Sequence, residues 1–127
     1  MFEEDYVMRI IKEAVRALLK LLFGIDTTNP SVELLEDAQM RDRITEMTDM
    51  VDDGHINEAE NRLYEVVDVS RREDLQMVLI FYSYLNDLDD DFLDDHDYSR
   101  EEIGQGLRDM IGRFGLEGMA DVYLLDL

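Results

Sequence analysis

The chain of 127 residues contains no cysteine. This absence excludes disulfide scaffolds, thiolate zinc sites, iron–sulfur clusters and cysteine nucleophiles, because each of them needs a cysteine sulfur. Tryptophan is absent as well, and Pro30 is the single proline. The sequence also has no uninterrupted run of roughly 18 uncharged apolar residues, the length that a spanning helix requires. We therefore predict no stable insertion into a membrane.

Basic residues are scarce, with 12 Lys and Arg against 32 Asp and Glu and a formal net charge of −20. Such a surface repels polyanions, so we predict no nucleic-acid partner. Disorder would need low hydrophobicity together with high charge, but 46% of the residues are hydrophobic. The chain is thus expected to form one folded domain over residues 1–127, a length that can bury a substantial core.

The first residues are acidic (Phe2-Glu3-Glu4-Asp5), whereas a secretory signal begins with basic residues. The apolar segment that follows is interrupted by Arg16 and Lys20. We therefore expect a cytoplasmic protein, a location that the lack of cysteine also suits.

Apolar residues recur at helical spacing almost throughout, and no run alternates with period two. This pattern predicts an all-α protein, a single compact bundle of five or six antiparallel helices. The predicted helices cover residues 5–23, 30–52 (with the polar middle, 36–43, as the place of a break), 57 onward, 73–88, 99–115 and part of 116–127. Their predicted caps are Asn29 before Pro30, Asn57 with Glu60, and Ser99 with Glu102.

The first predicted helix has a net positive charge, whereas the rest of the chain is strongly negative. Over residues 6–23 four residues are basic against the single acid Glu13, a net +3, and they include the only two lysines: Arg9, Lys12, Arg16 and Lys20. At about 100° per residue these side chains fall within an arc of roughly 100°, and apolar residues occupy most of the remaining circumference. We predict that the basic arc binds a partner. The broad apolar surface is expected to be covered by this chain, by a second copy or by a partner.

The segment around Gly54, Ala59 and Leu63 has the spacing of a closely packed helical hairpin, which resembles half of a tetratricopeptide repeat. The same segment matches part of an EF-hand calcium loop, although Val51 stands where an oxygen ligand is needed. The matching positions are Asp49, Asp53, Gly54, Ile56, Asn57 and Glu60. The hairpin is the favoured interpretation, and calcium binding is the alternative.

Three other features favour structural roles. The aspartate-rich stretch 87–97 is expected to be a solvated connector with one short turn near Phe92. His55 and His96 have neither metal-ligand nor catalytic spacing, and His55 is expected to face solvent. The glycines within the predicted helix 99–115 indicate close packing against a neighbouring helix: Gly104, Gly106 and Gly112.

Several segments resemble an uncharacterised family of short proteins from low-GC Gram-positive bacteria. The likeness is carried by Asp5-Tyr6-x-Met8-Arg9-x-Ile11, Leu22-Phe23-Gly24, Asn57-Glu-Ala59-Glu60-Asn61, Phe81-Tyr82, Leu85-Asn86 and Ser99-Arg-Glu-Glu-Ile103. The resemblance implies a helical, tetratricopeptide-like fold, and it implies no activity and no site residues.

No acid, base and nucleophile stand at a catalytic spacing in the sequence, so we predict no enzymatic activity, no catalytic residue and no cofactor. The expected function is that of a cytosolic helical module for protein–protein interaction, or for self-association as a homodimer. Two alternatives stay open. The protein could bind a divalent cation such as calcium, or it could be an adaptor that lies on a membrane surface through Arg9, Lys12, Arg16 and Lys20.

Overall fold

A computed structural model describes residues 4–125 and Leu127. Phe2 and Glu3 of the acidic start lie outside these residues. The described chain forms seven α-helices and no strand, which confirms the all-α fold: α1 (Glu4–Phe23), α2 (Ala38–Asp52), α3 (Ile56–Val66), α4 (Leu75–Asn86), α5 (Asp90–Asp95), α6 (Arg100–Arg113) and α7 (Glu117–Tyr123). Two short 3-10 helices, Val32–Leu34 and Arg72–Asp74, precede α2 and α4.

Helix α4 is the centre of the structure, as its sequence predicts. It packs against α1, α2 and α6, and most of its side chains are fully buried. A continuous apolar run such as Met77–Tyr82 has no polar side to turn toward water, so the helix is stable only when other helices surround it. Each large apolar side chain that it buries contributes about 1.5–3 kcal/mol.

Helix α1 buries its apolar side against α4, α6 and α7 of the same chain. The side chains along this surface are 0–1% exposed: Val7, Ile11, Ala14, Val15, Leu18 and Leu19. The sequence leaves open whether this apolar surface is covered by the chain itself, by a second copy or by a partner. The structure shows that the chain itself covers it. Leu21, at 60% exposure, is the main apolar exception on this helix. Over the described residues, no helix combines the length and the apolar character needed to cross a bilayer.

Helix α2 begins later than the sequence predicts. Pro30 does not start a helix; an irregular segment and a 3-10 turn follow it, and α2 begins at Ala38. The Asp37 carboxylate accepts hydrogen bonds from the backbone N–H groups of Gln39 and Met40, at 2.8 and 3.2 Å. Because an aspartate cap satisfies two N–H groups that otherwise lack a partner, the helix starts there rather than at the proline.

Helices α2 and α3 form the predicted hairpin, joined at Asp53–His55. Gly54 has a φ of +91°, and an added Cβ would lie 2.6 Å from Nε2 of His96, so both backbone conformation and space require glycine. Ala59 is fully buried. The predicted cap at Asn57 is wrong, since α3 already begins at Ile56. The likeness to a tetratricopeptide repeat stays a prediction.

The acidic stretch forms more structure than the sequence indicates. Its short helix α5 buries Leu93, and the next helix begins after Ser99, whose hydroxyl accepts a hydrogen bond from the backbone N–H of Glu102 at 3.1 Å. This confirms the predicted cap of α6. Helix α7 occupies the predicted place of a short last helix.

Gly106 of α6 packs closely against neighbouring helices, as predicted. An added Cβ there would come within 2.5 Å of the Glu60 carboxylate of α3 and 2.8 Å of the Tyr82 hydroxyl of α4. At Gly104 the contact would be with the end of the Leu127 side chain, at 2.6 Å, and Leu127 lies outside the helices. At Gly112 the nearest contact would be an ordinary 3.6 Å. Close packing against a neighbouring helix therefore explains Gly106 but neither Gly104 nor Gly112.

Candidate functional site: the basic face of the first helix

The four predicted partner-binding residues lie on one exposed side of α1, opposite its buried apolar side. We call Arg9, Lys12, Arg16 and Lys20 the basic face; all four are exposed. Glu13 lies among them and is exposed as well. The helical repeat thus separates the two properties of this segment, with the apolar residues inside and the cations outside.

Most of this positive charge is unpaired within the described chain. Arg16 donates from Nε and Nη2 to Oδ1 of Asp26, both at 3.4 Å, but this pair is exposed and therefore weak. Across residues 4–125, Arg9, Lys12 and Lys20 form neither an ion pair nor a side-chain hydrogen bond. Several arginines elsewhere do form ion pairs, with partners on the same or a neighbouring element: Arg62 with Glu46, Arg71 with Glu73, Arg100 with Asp90, Arg108 with Asp121, and Arg113 with Asp109.

A small cavity of about 160 Å³ opens beside the basic face. Helix α1, the segment 27–30 and Ser83 of α4 form its walls. Its lining is Arg9, Lys12, Glu13, Val15, Arg16, Thr27, Thr28, Pro30 and Ser83. Lys20 does not line it. The structure therefore brings three of the four predicted residues to one concave site and leaves the fourth on the open surface of α1.

A second cavity of about 260 Å³ lies on the other side of Pro30. It has a more apolar character, since Val32, Ile80 and Tyr84 contribute to its walls. The remaining lining residues are Pro30, Ser31, Thr45 and Thr48. Tyr84 donates its hydroxyl hydrogen bond to Asp52 of α2, and the nearby carboxylate, together with burial, raises the pKa of this tyrosine to about 12.

The segment between α1 and the 3-10 turn makes two exposed polar contacts. Asp26 accepts from Arg16, and the Thr27 hydroxyl oxygen accepts from the backbone N–H of Asn29 at 3.1 Å. Thr27, Thr28 and Pro30 of this segment line the basic cavity. The site therefore presents cations, hydroxyl groups and apolar surface together, which suits binding of a carboxylate-bearing ligand.

Sequence reasoning missed the hydroxyl residues of these cavities because they come from four separate segments. Ser83 carried a signal, since it lies on the one narrow polar side of an otherwise apolar helix. Thr45 and Thr48 had none: threonine on a helix surface is ordinary, and their position opposite Pro30 depends on where α2 begins.

A separate polar cluster joins α3, α4 and the segment between α5 and α6. The Glu60 carboxylate accepts hydrogen bonds from Tyr82 at 2.6 Å and from Tyr98 at 3.0 Å, one on each oxygen. Burial, reinforced by this carboxylate, raises the pKa of both phenols well above their usual value. All three groups are satisfied by one another. We interpret this cluster as structural.

The cluster continues at the surface through Tyr64. Its hydroxyl donates to Asp109 at 2.8 Å, and Arg113 donates to the same carboxylate oxygen at 2.9 Å. The Arg113 guanidinium also lies 4.8 Å from the centre of the Tyr64 ring, within the range of a cation–π contact. Burial and the Asp109 carboxylate raise the pKa of Tyr64 to about 12.

The residues of the calcium alternative do not form a twelve-residue loop. Asp49 belongs to α2, α3 begins at Ile56 and contains Asn57, and Glu60 is engaged by two tyrosines. Within the described part of the chain, no group of three or more carboxylate or histidine side chains is arranged to hold a metal ion.

The two histidines lie apart from the basic face. His55 is exposed, as expected, and pairs with Glu58 at 3.1 Å. Nδ1 of His96 lies 2.7 Å from the carbonyl oxygen of Phe92, and its ring packs on Gly54 and on Phe92. Both side chains have local structural partners.

Residues 1–115 match the model of a family described as a family of unknown function, DUF6483. The chain belongs to DUF6483. The matched residues include the basic face, both cavities beside Pro30 and the tyrosine cluster, whereas α7 lies beyond them. Neither the curated proteins nor the solved structures contain a match to the chain. Membership of DUF6483 supports the resemblance seen in the sequence and assigns no activity.

Proposed function

We propose that the protein is a helical interaction module that binds an acidic segment of a partner protein through the basic face. One observation carries the proposal. In a chain with a net charge of −20, Arg9, Lys12 and Lys20 share one helix face and have no ion-pair partner within the described residues. Carboxylates of a partner would supply the missing counter-charges and would be attracted by a local positive potential.

The charge of the whole molecule favours a local acidic segment over an extended anionic surface. A membrane of anionic lipids would attract the basic face but would repel the acidic remainder of the protein. A second copy of the chain carries the same net charge, and the apolar side of α1 is already covered by α4, α6 and α7. A short peptide segment, by contrast, can contact the basic face without contacting the acidic remainder of the protein.

The hairpin of α2 and α3 adds weaker support. Gly54, Ala59 and Leu63 have tetratricopeptide-like spacing, and modules of that type bind peptide segments. A bacterial origin and a cytoplasmic location, both expected from the sequence, belong to the same proposal.

Charge reversal tests the proposal. The variant Arg9→Glu/Lys12→Glu removes the basic face, and Arg43→Glu/Arg72→Glu is the matched control, because it makes the same change in net charge at two other exposed arginines without ion pairs. Proteins captured from an extract of the source cells should bind the wild type and the control and be lost from the basic-face variant. Equal capture by all three proteins would refute the role of the basic face. Flotation of the wild type with phosphatidylglycerol vesicles would indicate the membrane alternative.

A further inference from the structure

Resting on the proposed function, we propose that the partner segment is a peptide in which a carboxylate side chain lies next to a large apolar side chain. The carboxylate binds Arg9 and Lys12, and the apolar side chain enters the cavity beyond Pro30. The proposal thus names the chemistry of the ligand and its direction along the surface.

In this proposal the bound segment spans both cavities beside Pro30, which together act as one groove. Pro30 is a wall of both, and neighbouring residues of α4 line them in turn, with Ser83 in the basic cavity and Ile80 and Tyr84 in the apolar one. The groove therefore runs from α1, past the rim formed by Pro30, to the surface of α2. A bound segment that spans it would meet different chemistry at its two ends.

The end at α1 is cationic. Arg9 and Lys12 line it without an ion-pair partner among the described residues, whereas Arg16 already shares its charge with Asp26. Glu13 lines the same cavity, so three cations face one carboxylate there and the net charge of the lining is positive. A carboxylate placed between Arg9 and Lys12 would receive charge-assisted hydrogen bonds, which are about twice as strong as neutral ones.

The end at α2 favours an apolar group and disfavours a second carboxylate. Val32, Ile80 and the Tyr84 ring supply apolar walls, and the cavity volume of about 260 Å³ leaves room for a large side chain. Asp52 lies at this end, bonded to the Tyr84 hydroxyl, and its negative charge would repel an acid. This difference between the ends fixes the direction of the peptide.

The hydroxyl groups along the groove suit a peptide backbone. Thr27 and Thr28 stand in the basic cavity, and Ser31 and Thr45 in the apolar one. Ser31 makes no side-chain capping bond to the 3-10 turn that follows it, so its hydroxyl is available. Hydroxyls both donate and accept hydrogen bonds, and can therefore pair with either the N–H or the C=O groups of an extended segment.

Selection from a random peptide display library tests the proposal on the full chain. The wild type is compared with Arg9→Glu/Lys12→Glu, which removes the cationic end, and with Thr45→Trp, which places an indole over the apolar end. Gln39→Trp is the control for the second variant, since Gln39 is an exposed α2 residue that lines neither cavity. Thermal melts of each variant establish that it folds.

The expected consensus has Asp or Glu adjacent to Leu, Phe or another large apolar residue. In synthetic peptides of that sequence, replacing the apolar residue by Ala should weaken binding to the wild type about tenfold or more. Thr45→Trp should weaken binding of the unaltered peptide to a similar degree, and Gln39→Trp should not. Charge reversal at Arg9 and Lys12 should abolish enrichment.

The other outcomes separate the two proposals. Acidic peptides without an apolar residue, bound equally by Thr45→Trp, would overturn the groove and leave the basic face as the binding site. Apolar peptides that bind regardless of charge reversal would overturn both proposals. Vesicle binding that charge reversal abolishes, without enrichment of any peptide, would replace the peptide by a membrane surface.

Discussion

Replacing Tyr82 by Phe tests whether the tyrosine cluster holds α3 against α4. The Tyr82 side chain is fully buried, and its hydroxyl donates a 2.6 Å hydrogen bond to the Glu60 carboxylate. Phenylalanine keeps the ring and its packing, including the edge contact with Phe81 at 5.3 Å between ring centres. The substitution therefore removes one hydrogen bond and little else.

The magnitude follows from the charge and the surroundings of the acceptor. A hydrogen bond to a charged group contributes about 1.5–3 kcal/mol to stability. Glu60 keeps its bond to Tyr98 and is partly open to water, so its carboxylate does not become wholly unpartnered. We expect the free energy of unfolding to fall by about 1.5–2 kcal/mol. For a chain of this length the corresponding fall in Tm is roughly 5–10 °C.

Urea denaturation followed by circular dichroism measures this change, with Tyr123→Phe as the control. The Tyr123 hydroxyl has no hydrogen-bond partner among the described residues, so its removal should change stability by less than about 0.5 kcal/mol. A double-mutant cycle with Glu60→Gln should give a coupling free energy of about 1 kcal/mol. An unchanged stability in Tyr82→Phe, or a coupling near zero, would show that the bond does not hold the helices together.

Two further predictions concern stability. Arg100 is 3% exposed and donates to the backbone carbonyls of Asn86 and Leu88, both at 2.6 Å, and to Asp90. Arg100→Leu leaves these two carbonyls, at and just after the end of α4, without their side-chain donor. The free energy of unfolding measured in urea should therefore fall by about 2–4 kcal/mol. Arg100→Lys should restore only part of the lost stability, and a stability equal to that of the wild type would contradict the role of the forked guanidinium. The second prediction uses pH. Because folding raises the pKa of Tyr64, Tyr82, Tyr84 and Tyr98, the stability from these groups is complete below their unfolded pKa of about 10 and is lost as the pH rises above it. Absorbance at the phenolate band should therefore rise together with the loss of helical signal, and full ionisation of all tyrosines in a still-folded protein would contradict the prediction.

The sequence was sufficient for those features that periodicity and local chemistry control. The apolar spacing of α1 and α4 predicts helices that are buried over most of their circumference. This is confirmed for α4, whereas α1 buries one side and leaves Tyr6 and Leu21 exposed. The Ser99 cap and the turn at Gly54 depend on groups a few residues apart, and both occur as predicted. Local signals of this kind predict a single helix and the positions of its ends.

Competition between local signals explains the errors in helix boundaries. Asn29-Pro30 is a favourable helix start, but Asp37, eight residues after Asn29, caps α2 by accepting hydrogen bonds from the backbone N–H groups of Gln39 and Met40. Between them the chain forms the irregular segment that lines the groove. The error at the start of α2 and the failure to predict the groove therefore have the same cause.

Contacts between distant segments account for the other features that sequence reasoning missed. Glu60, Tyr82 and Tyr98 are 16 to 38 residues apart, and each is ordinary in its own helix or loop. Gly106 gave an indirect indication that these residues are in contact, since a glycine inside a helix is unfavourable unless a neighbouring group leaves no space for a side chain. That signal identifies a close contact but does not name its partners.

Whether a charged side chain has a partner within the protein is also the reason to place function at α1. In the described chain every buried side-chain nitrogen and oxygen has a hydrogen-bond partner, and even the fully enclosed Arg100 is satisfied. With 32 acids present, several exposed arginines have a counter-ion, as Arg71 and Arg113 do, whereas Arg43 and Arg72 are exposed without one among the described residues. Stability explains the paired residues. It does not explain why four cations, three of them without an ion-pair partner in the described chain, are grouped on one face of α1 beside Glu13. Binding of an external carboxylate explains both their grouping and their lack of partners, and it predicts that their reversal impairs recognition while leaving the fold intact.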